Sequence, residues 1–114
     1  MRLNNEQIGT RLGVTLPAGT RVVGFDSEAG IDSMFRAKLE MSGEQLETFI
    51  AGTNVARFEA GDADLLGPDR DYWDPHRAKK LRIGEVELPQ ARFLVVAIDD
   101  SQPTAVVYVM NHGT

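Results

Sequence analysis

Two apolar runs near the C-terminus constrain this sequence more than any other feature. They are residues 93–98 (FLVVAI) and residues 105–110 (AVVYVM). Both are rich in β-branched and aromatic residues, and the segment between them contains turn formers and Pro103, which bars a continuous strand. Because the runs are nearly unbroken rather than alternating, they predict two paired strands at the centre of a sheet covered on both faces.

The N-terminal part of the chain predicts a helix and two further strands. Residues 5–12 favour a short helix, with Asn5 as its N-cap and Gly13 at its end. Residues 20–25 predict a strand that is closed by a turn at residues 26–30. Residues 33–41 suit a helix by propensity, but their strict alternation of apolar and charged side chains is typical of a strand.

A capping box at residues 42–45 (SGEQ) decides between these two interpretations. In such a box the Ser42 side chain and the Gln45 side chain each bond the other residue's backbone N–H. This predicts a helix over residues 43–51 that stops at Gly52, and a helix that begins there cannot be the middle of an earlier one. Residues 33–41 are therefore predicted to be a strand. The apolar stripe of the helix consists of Leu46, Phe49 and Ile50.

The middle of the chain has weaker patterns. Residues 55–58 fit either a short strand or a continuation of the helix, and residues 61–74 are predicted to be a loop. Asp74 followed by Pro75 is typical of an N-cap and first helical position, which predicts a helical turn through about Lys80.

The last part of this region alternates around Gly84 and predicts a small edge hairpin of residues 81–83 and 86–88. The element order is then helix, two strands, helix, long connection and two strands. This order predicts the α+β class, with an antiparallel sheet of four or more strands covered by a helix. There is no repeat or linker, so residues 1–114 are expected to form a single domain.

Composition excludes several classes of function. Seventeen acidic against twelve basic residues leave a net charge of −5, which argues against nucleic acid or anionic membranes as partners. The basic cluster at residues 77–82 lacks the interleaved aromatic residues that stack on bases.

There is no cysteine, so thiol catalysis and thiolate metal sites are excluded. No apolar stretch approaches the ~20 residues of a membrane span, and the first residues lack the apolar core of a signal peptide, so a soluble protein is expected, cytoplasmic unless an export signal has been removed.

The loop before residue 75 carries five aspartates, and these raise the question of a calcium site. An EF-hand template that begins at Asp62 places Leu66 at position 5 and Trp73 at position 12, where oxygen ligands are needed. We therefore predict a solvated acidic loop, no metal site and no cofactor. The five residues are Asp62, Asp64, Asp69, Asp71 and Asp74.

His76 and His112 are the only histidines, and neither belongs to a recognisable catalytic pattern. There is no H-E-x-x-H metal motif and no G-x-S-x-G elbow. His76 lies among charged residues, where a surface role in a helical turn is expected. No residue is assigned a catalytic role on this basis.

Trp73 is the only tryptophan, and it lies in a long polar connection rather than in a regular element. Two interpretations follow: the ring packs against the sheet and pins the loop, or it is an aromatic anchor at a protein interface, where Trp and Tyr dominate. The candidate partner-binding residues are Asp69, Asp71, Tyr72, Trp73 and His76.

Three short motifs resemble small uncharacterised bacterial domains, many of them in actinobacterial lipoproteins or single-span membrane proteins. The motifs are the L-P-x-G-like turn at residues 16–19, the W-x-P-like loop at residues 73–75 and V-Y-V at residues 107–109. This resemblance implies an extracytoplasmic binding or accessory role. The chain departs from that pattern in having neither a signal sequence nor a lipidated cysteine.

The leading functional hypothesis is a non-enzymatic protein-interaction domain with a protein partner, such as an immunity protein, an inhibitor or an accessory protein of a membrane complex. The alternative is a small hydrolase or isomerase that uses His76 or His112 with a loop aspartate. A histidine beside an aspartate in an apolar cleft would favour the enzyme. Histidines on an open surface would favour binding.

Overall fold

A computed structural model describes residues 3–28, 33–78 and 80–113. Within these ranges the chain forms two helices, six strands and, between the third and fourth strands, two short 3-10 helices. The helices are α1 (Asn5–Leu12) and α2 (Gly43–Thr53), and the 3-10 helices are Ala63–Leu66 and Pro75–Arg77. The strands are β1 (Arg21–Glu28), β2 (Met34–Met41), β3 (Glu59–Gly61), β4 (Leu81–Leu88), β5 (Arg92–Asp99) and β6 (Ala105–Gly113).

The strands form one antiparallel sheet in the order β1-β2-β6-β5-β4-β3. The two apolar runs are paired directly, with Val96 opposite Val109, and they occupy the middle of the sheet. This confirms the α+β class and the central strand pair. The predicted minimum of four strands is exceeded, because β3 and β4 extend the sheet beyond β5.

Both faces of the central pair are buried. One face, here called the helix face, packs in a cluster with residues of α1 and α2, including Leu12 and Phe49. The opposite face, here called the loop face, packs against residues of the β3–β4 connection, including Leu66 and Trp73. The buried side chains of β5 and β6 on the helix face are Leu94, Val96, Ile98, Ala105, Val107 and Val109, and those on the loop face are Val95, Ala97, Tyr108 and Met110.

Helix α1 has the predicted bounds, residues 5–12, but its N-cap lies one residue earlier than predicted. Its N-cap is Asn4, whose side chain accepts a hydrogen bond from the Gln7 N–H at 2.8 Å, while Gln7 Oε1 accepts from the Asn4 N–H at 2.9 Å. Asn5 instead donates from Nδ2 to the Thr20 carbonyl. The predicted end at Gly13 is confirmed, because this residue has the left-handed conformation of a C-cap.

Helix α2 begins as predicted and ends later. Ser42 Oγ accepts from the Gln45 N–H and Gln45 Oε1 accepts from the Ser42 N–H, so the capping box is present. Gly52 is not the stop. The helix continues through Thr53 and ends at Asn54, which has φ 62° and, as an asparagine, tolerates the left-handed conformation well.

Strand β1 continues three residues past its predicted end. The expected turn at residues 26–30 is wrong for residues 26–28, and its remaining residues lie outside the described ranges. Asp26 and Glu28 stay in the strand because both accept hydrogen bonds from Arg36 on β2, each at 2.8 Å. Charge pairing across the strands thus outweighs the low strand preference of acidic residues.

The region before β5 differs most from prediction. Residues 55–58 are irregular, neither strand nor helix, and β3 follows them. Residues 81–88 form one continuous strand rather than an edge hairpin, with Gly84 paired to Val96. Gly84 is needed for packing rather than for a turn, since a Cβ there would lie 2.9 Å from the Arg57 carbonyl oxygen and would overlap Val55.

The helical turn predicted at Asp74 is shorter than expected and ends at Arg77. Asp74 makes no capping hydrogen bond with its side chain. Its carboxylate is instead occupied by the Lys38 ammonium at 2.9 Å and the Tyr108 hydroxyl at 2.8 Å. In the part of the chain that the structure describes, no helix is long and apolar enough to cross a membrane.

The capping box of α2 generates a stability prediction. Ser42→Ala should lower the free energy of unfolding by about 1 kcal/mol, because the Gln45 N–H loses its acceptor. Urea denaturation measures this change. Glu47→Ala, on the exposed side of the same helix, is the control and should change stability by less than about 0.5 kcal/mol. Equal midpoints for the Ser42 variant and the wild type would contradict the cap.

Candidate functional site

The segment that covers the loop face, residues 62–78, contains most of the residues that sequence analysis singled out. It is called the cover here. It has little regular structure: the 3-10 helix Ala63–Leu66, a tight turn closed by two backbone hydrogen bonds of 2.7 Å between Arg70 and Trp73, and the 3-10 helix Pro75–Arg77. Its backbone–backbone hydrogen bonds are local ones within the segment, so side chains make the contacts that join it to the sheet.

Trp73 is the main contact between the cover and the sheet. Its side chain is completely buried, with 0% exposure. Its indole N–H donates to the Leu66 carbonyl at 2.9 Å, and its ring packs edge-on against Tyr108 with centroids 5.4 Å apart. Trp73 is therefore placed as in the first interpretation, with its ring packed on the sheet so that it pins the loop. A partner cannot reach this ring while the cover is in place.

Tyr72 joins the cover to β1 and β2. Its hydroxyl donates to Asp26 Oδ2 at 2.9 Å and also lies 3.2 Å from the Arg36 carbonyl. The ring lies so close to Gly24 that no Cβ would fit there. Desolvation by burial, followed by the hydrogen bond to Asp26, raises the pKa of Tyr72 well above its usual value, so it is a neutral donor.

Arg36 is the centre of an ionic network beneath the cover. Its side chain is only 8% exposed, yet it is paired with Asp26 and Glu28, and its guanidinium lies 6.0 Å from the Trp73 ring centroid. Arg70 of the cover pairs with the same Glu28 carboxylate. A buried guanidinium is stable only when it is paired in this way.

Asp74 makes a second ionic contact at the other end of the cover. Burial disfavours its charged form, but the hydrogen bonds from Lys38 and Tyr108 outweigh burial and lower the pKa of Asp74. Burial and the hydrogen bond to Asp74 raise the pKa of Tyr108 far above its usual value. At neutral pH the Asp74 carboxylate is therefore ionised and the Tyr108 hydroxyl is neutral, so the hydrogen bond between them is kept.

His76 lies between two carboxylates of the cover. Its Nδ1 is 2.6 Å from Asp69 Oδ1 and its Nε2 is 2.7 Å from Asp64 Oδ1. The ring is at the surface, with 39% of the side chain exposed. The hydrogen bonds to Asp64 and Asp69 raise the pKa of His76 above its usual value, because they stabilise the imidazolium.

This geometry does not suit His76 as a general base. A base needs a free imidazole lone pair directed at the proton to be removed, whereas both nitrogens of His76 face carboxylates. His112 is half-buried, stacks on Phe93 with centroids 5.6 Å apart, and has its Nδ1 near the Gly113 carbonyl. Neither histidine therefore lies beside an aspartate in an apolar cleft.

Leu65 is a surface feature that sequence analysis missed. With 64% exposure, it is the large hydrophobic side chain that stands open in the described part of the chain, whereas its neighbour Leu66 is 2% exposed. It lines the mouth of a cavity of about 520 Å³ whose apolar wall includes Leu66, Met34 and Met110. Two consecutive leucines in a loop give no signal of which one is outside, so only the direction of the 3-10 helix decides this.

The structure separates the predicted partner-binding residues into two groups. Trp73 is buried and Tyr72 is half-buried against β1, while Asp69, Asp71 and His76 are exposed on the outer surface of the cover. The structure brings Asp64, Asp69 and His76 together. Among residues 3–28, 33–78 and 80–113, no group of three His, Asp or Glu side chains is arranged to hold a metal ion.

Comparison of this chain with family models, with curated proteins and with solved structures gives no match. The resemblance to bacterial lipoprotein-type domains stays a prediction. The site itself must therefore support any function proposed.

The burial of Trp73 generates a prediction that separates pinning from partner contact. Trp73→Ala should lower the free energy of unfolding by about 3–5 kcal/mol, as expected for a buried aromatic ring. Leu65→Ala removes an exposed apolar side chain from the same segment and should change stability by less than about 0.5 kcal/mol. Urea denaturation measures both. Because Trp73 is the only tryptophan, its emission should also resist an added quencher. Similar small losses in both variants would contradict pinning.

A second prediction concerns calcium. The carboxylates of Asp64 and Asp69 already bond the His76 ring, so they are not free to surround a cation. The melting temperature should be the same in chelator and in millimolar calcium, because an ion bound only to the folded protein would raise it. A calcium-dependent rise of several degrees, measured by circular dichroism, would show that the loop holds a metal after all.

Proposed function

We propose that this protein is a non-enzymatic protein-interaction domain that binds its partner through the outer surface of the cover, around Leu65. The supporting observation is the exposure of Leu65 on a segment that is otherwise held by specific contacts. The partner we propose is a protein segment that presents an apolar side chain between basic residues. Such a contact would bury Leu65 and would neutralise part of the acidic surface beside it.

The position of Leu65 is well defined before any partner binds. The next residue, Leu66, is buried and its carbonyl accepts from the Trp73 indole. On the other side the Asp62 carboxylate accepts from the Asp64 N–H at 2.9 Å and so caps the 3-10 helix. A backbone that is already held in place loses less conformational entropy on binding, and this favours affinity.

The charge around Leu65 indicates what kind of partner would fit. Four exposed aspartates lie in the cover, and the whole chain carries a net charge of −5. Arg70, the basic residue nearest to them in sequence, is paired with Glu28. Asp64 and Asp69 share the His76 ring, which offsets one of the four negative charges and leaves the group acidic. An acidic surface accelerates the encounter with a basic partner and disfavours acidic ones. The four residues are Asp62, Asp64, Asp69 and Asp71.

The environment of His76 supports binding over the alternative of a hydrolase or isomerase. A histidine with a carboxylate on each nitrogen is a charged structural group rather than a base. The cavity of about 460 Å³ that His76 lines also contains Asp62 and Lys80 and is open to solvent rather than apolar. In the cavity that His76 lines, a substrate would therefore meet the histidine in contact with water rather than in an apolar cleft.

An inhibitor or immunity protein is the narrower role that this surface suits best. A small acidic domain with one fixed apolar projection can block a basic functional surface on a partner without chemistry of its own. An accessory role in a membrane complex rests on the family resemblance alone and stays a prediction.

Selection from a phage-displayed peptide library tests the proposal. Peptides that bind the purified protein should be enriched in Lys and Arg on both sides of an apolar residue. Leu65→Ser should weaken their binding by about 30-fold, which corresponds to about 2 kcal/mol for a central apolar contact. Isothermal titration calorimetry measures this change.

Two control variants separate contact from fold and charge. Glu47→Ser, on the exposed side of α2, should leave peptide affinity unchanged. Asp71→Asn removes one charge from the cover while keeping a residue that tolerates the φ of 48° found there, and it should slow association and reduce its salt dependence. Peptides without basic residues, or peptides that bind the Leu65 variant as well as the wild type, would overturn the proposal.

A further inference from the structure

We propose that His76 is a pH-dependent clamp that holds Asp64, and with it the neighbouring Leu65, in the position described above. The effect of this clamp on partner binding rests on the proposed function, whereas the clamp itself rests only on geometry. It connects the two halves of the cover, since Asp64 belongs to the first 3-10 helix and His76 to the second.

The two hydrogen bonds of the ring require a proton on each nitrogen. A carboxylate can only accept, and a neutral imidazole has one N–H and one bare lone pair. With oxygens at 2.6 Å and 2.7 Å from the two nitrogens, a neutral His76 would direct its lone pair at a negative oxygen. One of the two contacts must therefore open when the ring loses a proton.

The contact to Asp64 is the one that opens. Asp69 is held twice, because its Oδ1 also accepts from the His76 backbone N–H at 3.1 Å, and its side chain is 33% exposed. The Asp64 side chain is 80% exposed and can turn into solvent. Deprotonation should therefore leave the Nδ1–H to Asp69 bond intact and release Asp64 from Nε2.

The displacement should be confined to the first part of the cover. Leu66 stays anchored by its burial and by the hydrogen bond that its carbonyl accepts from the Trp73 indole. Asp64 and Leu65 are held by local bonds of the 3-10 helix alone, from the Leu65 N–H to the Asp62 carbonyl at 3.1 Å and from the Gly67 N–H to the Asp64 carbonyl at 3.2 Å, so these two residues are the ones we expect to shift. Two further charged groups, Asp62 and Lys80, line the cavity shared with His76. Asp62 favours the imidazolium and Lys80 disfavours it, and both are farther from the ring than the bonded carboxylates.

The direction of the pH dependence follows from the raised pKa of His76, whose largest cause is the hydrogen bond to Asp64, followed by that to Asp69. A group whose pKa is higher in the folded protein stabilises that state fully below its unfolded pKa, and the stabilisation is lost as pH rises through the folded pKa. The clamp should therefore be closed below pH 6.5, the usual pKa of histidine, and should open as pH rises through the elevated value.

Nuclear magnetic resonance of the free protein tests the clamp without any partner. In wild type, the His76 ring should titrate with a midpoint above 6.5, and the backbone amides of Asp64 and Leu65 should shift with the same midpoint. Asp64→Asn should lower the midpoint of His76 while Nδ1 keeps its proton. In His76→Gln, which cannot titrate, the amide of Leu65 should show no transition in this range.

The clamp is overturned if Asp64→Asn leaves the His76 midpoint unchanged, or if the Leu65 amide does not follow the ring. The selected basic peptides then separate the two proposals. Because deprotonation of His76 also makes the surface more negative, the readout is the loss of affinity caused by Leu65→Ser. That loss should shrink as pH rises through the His76 midpoint and should be independent of pH in the His76→Gln background. Coupled titration without peptide binding at Leu65 would contradict the interaction site alone. Binding at Leu65 with no coupled titration would contradict the clamp alone.

Discussion

The burial of the central strand pair on both faces is the constraint on which the rest of this structure depends. Residues 93–98 of β5 and 105–110 of β6 carry a single polar group, the Tyr108 hydroxyl, so each face needs a covering layer to keep it from water. Two amphipathic helices cover one face in the usual way. The other face is covered by residues 62–78, a segment with little regular structure. This difference between the two covering layers determines how the candidate site is built.

An irregular cover has to be joined to the sheet by side chains, because its backbone–backbone hydrogen bonds in the described residues are local turns within the segment itself. Trp73 supplies the apolar contact and one backbone bond, while Tyr72 and Asp74 connect the cover to charged groups on the sheet. The network around Arg36 is complete: in the described residues, no buried side-chain nitrogen or oxygen lacks a hydrogen-bond partner. A cover made in this way is well ordered and still leaves side chains free to face solvent.

That combination links the fold to the proposed function. The contacts that bury Trp73 and Leu66 also fix the direction of the backbone at Leu66. The residue before it, Leu65, is exposed as a consequence. The same segment carries the aspartates that would favour a basic partner and the histidine that would make the surface sensitive to pH. The candidate site is therefore the outer side of a structural layer.

The sequence by itself determined the local structure and the central strand pair. Capping at Ser42, the alternation at residues 33–41 and the apolar runs each depend on neighbours within a few positions. Tertiary structure alone decided the extension of β1, the continuity of β4 and the exposure of Leu65. These depend on partners distant along the chain: Arg36 holds Asp26 across a hairpin, Val55 and Arg57 fill the space above Gly84, and the Trp73 indole orients the backbone at Leu66. Short-range preferences at these positions are either weak or, as for Asp26 and Glu28, opposed to the observed structure, so the long-range contact determines the result.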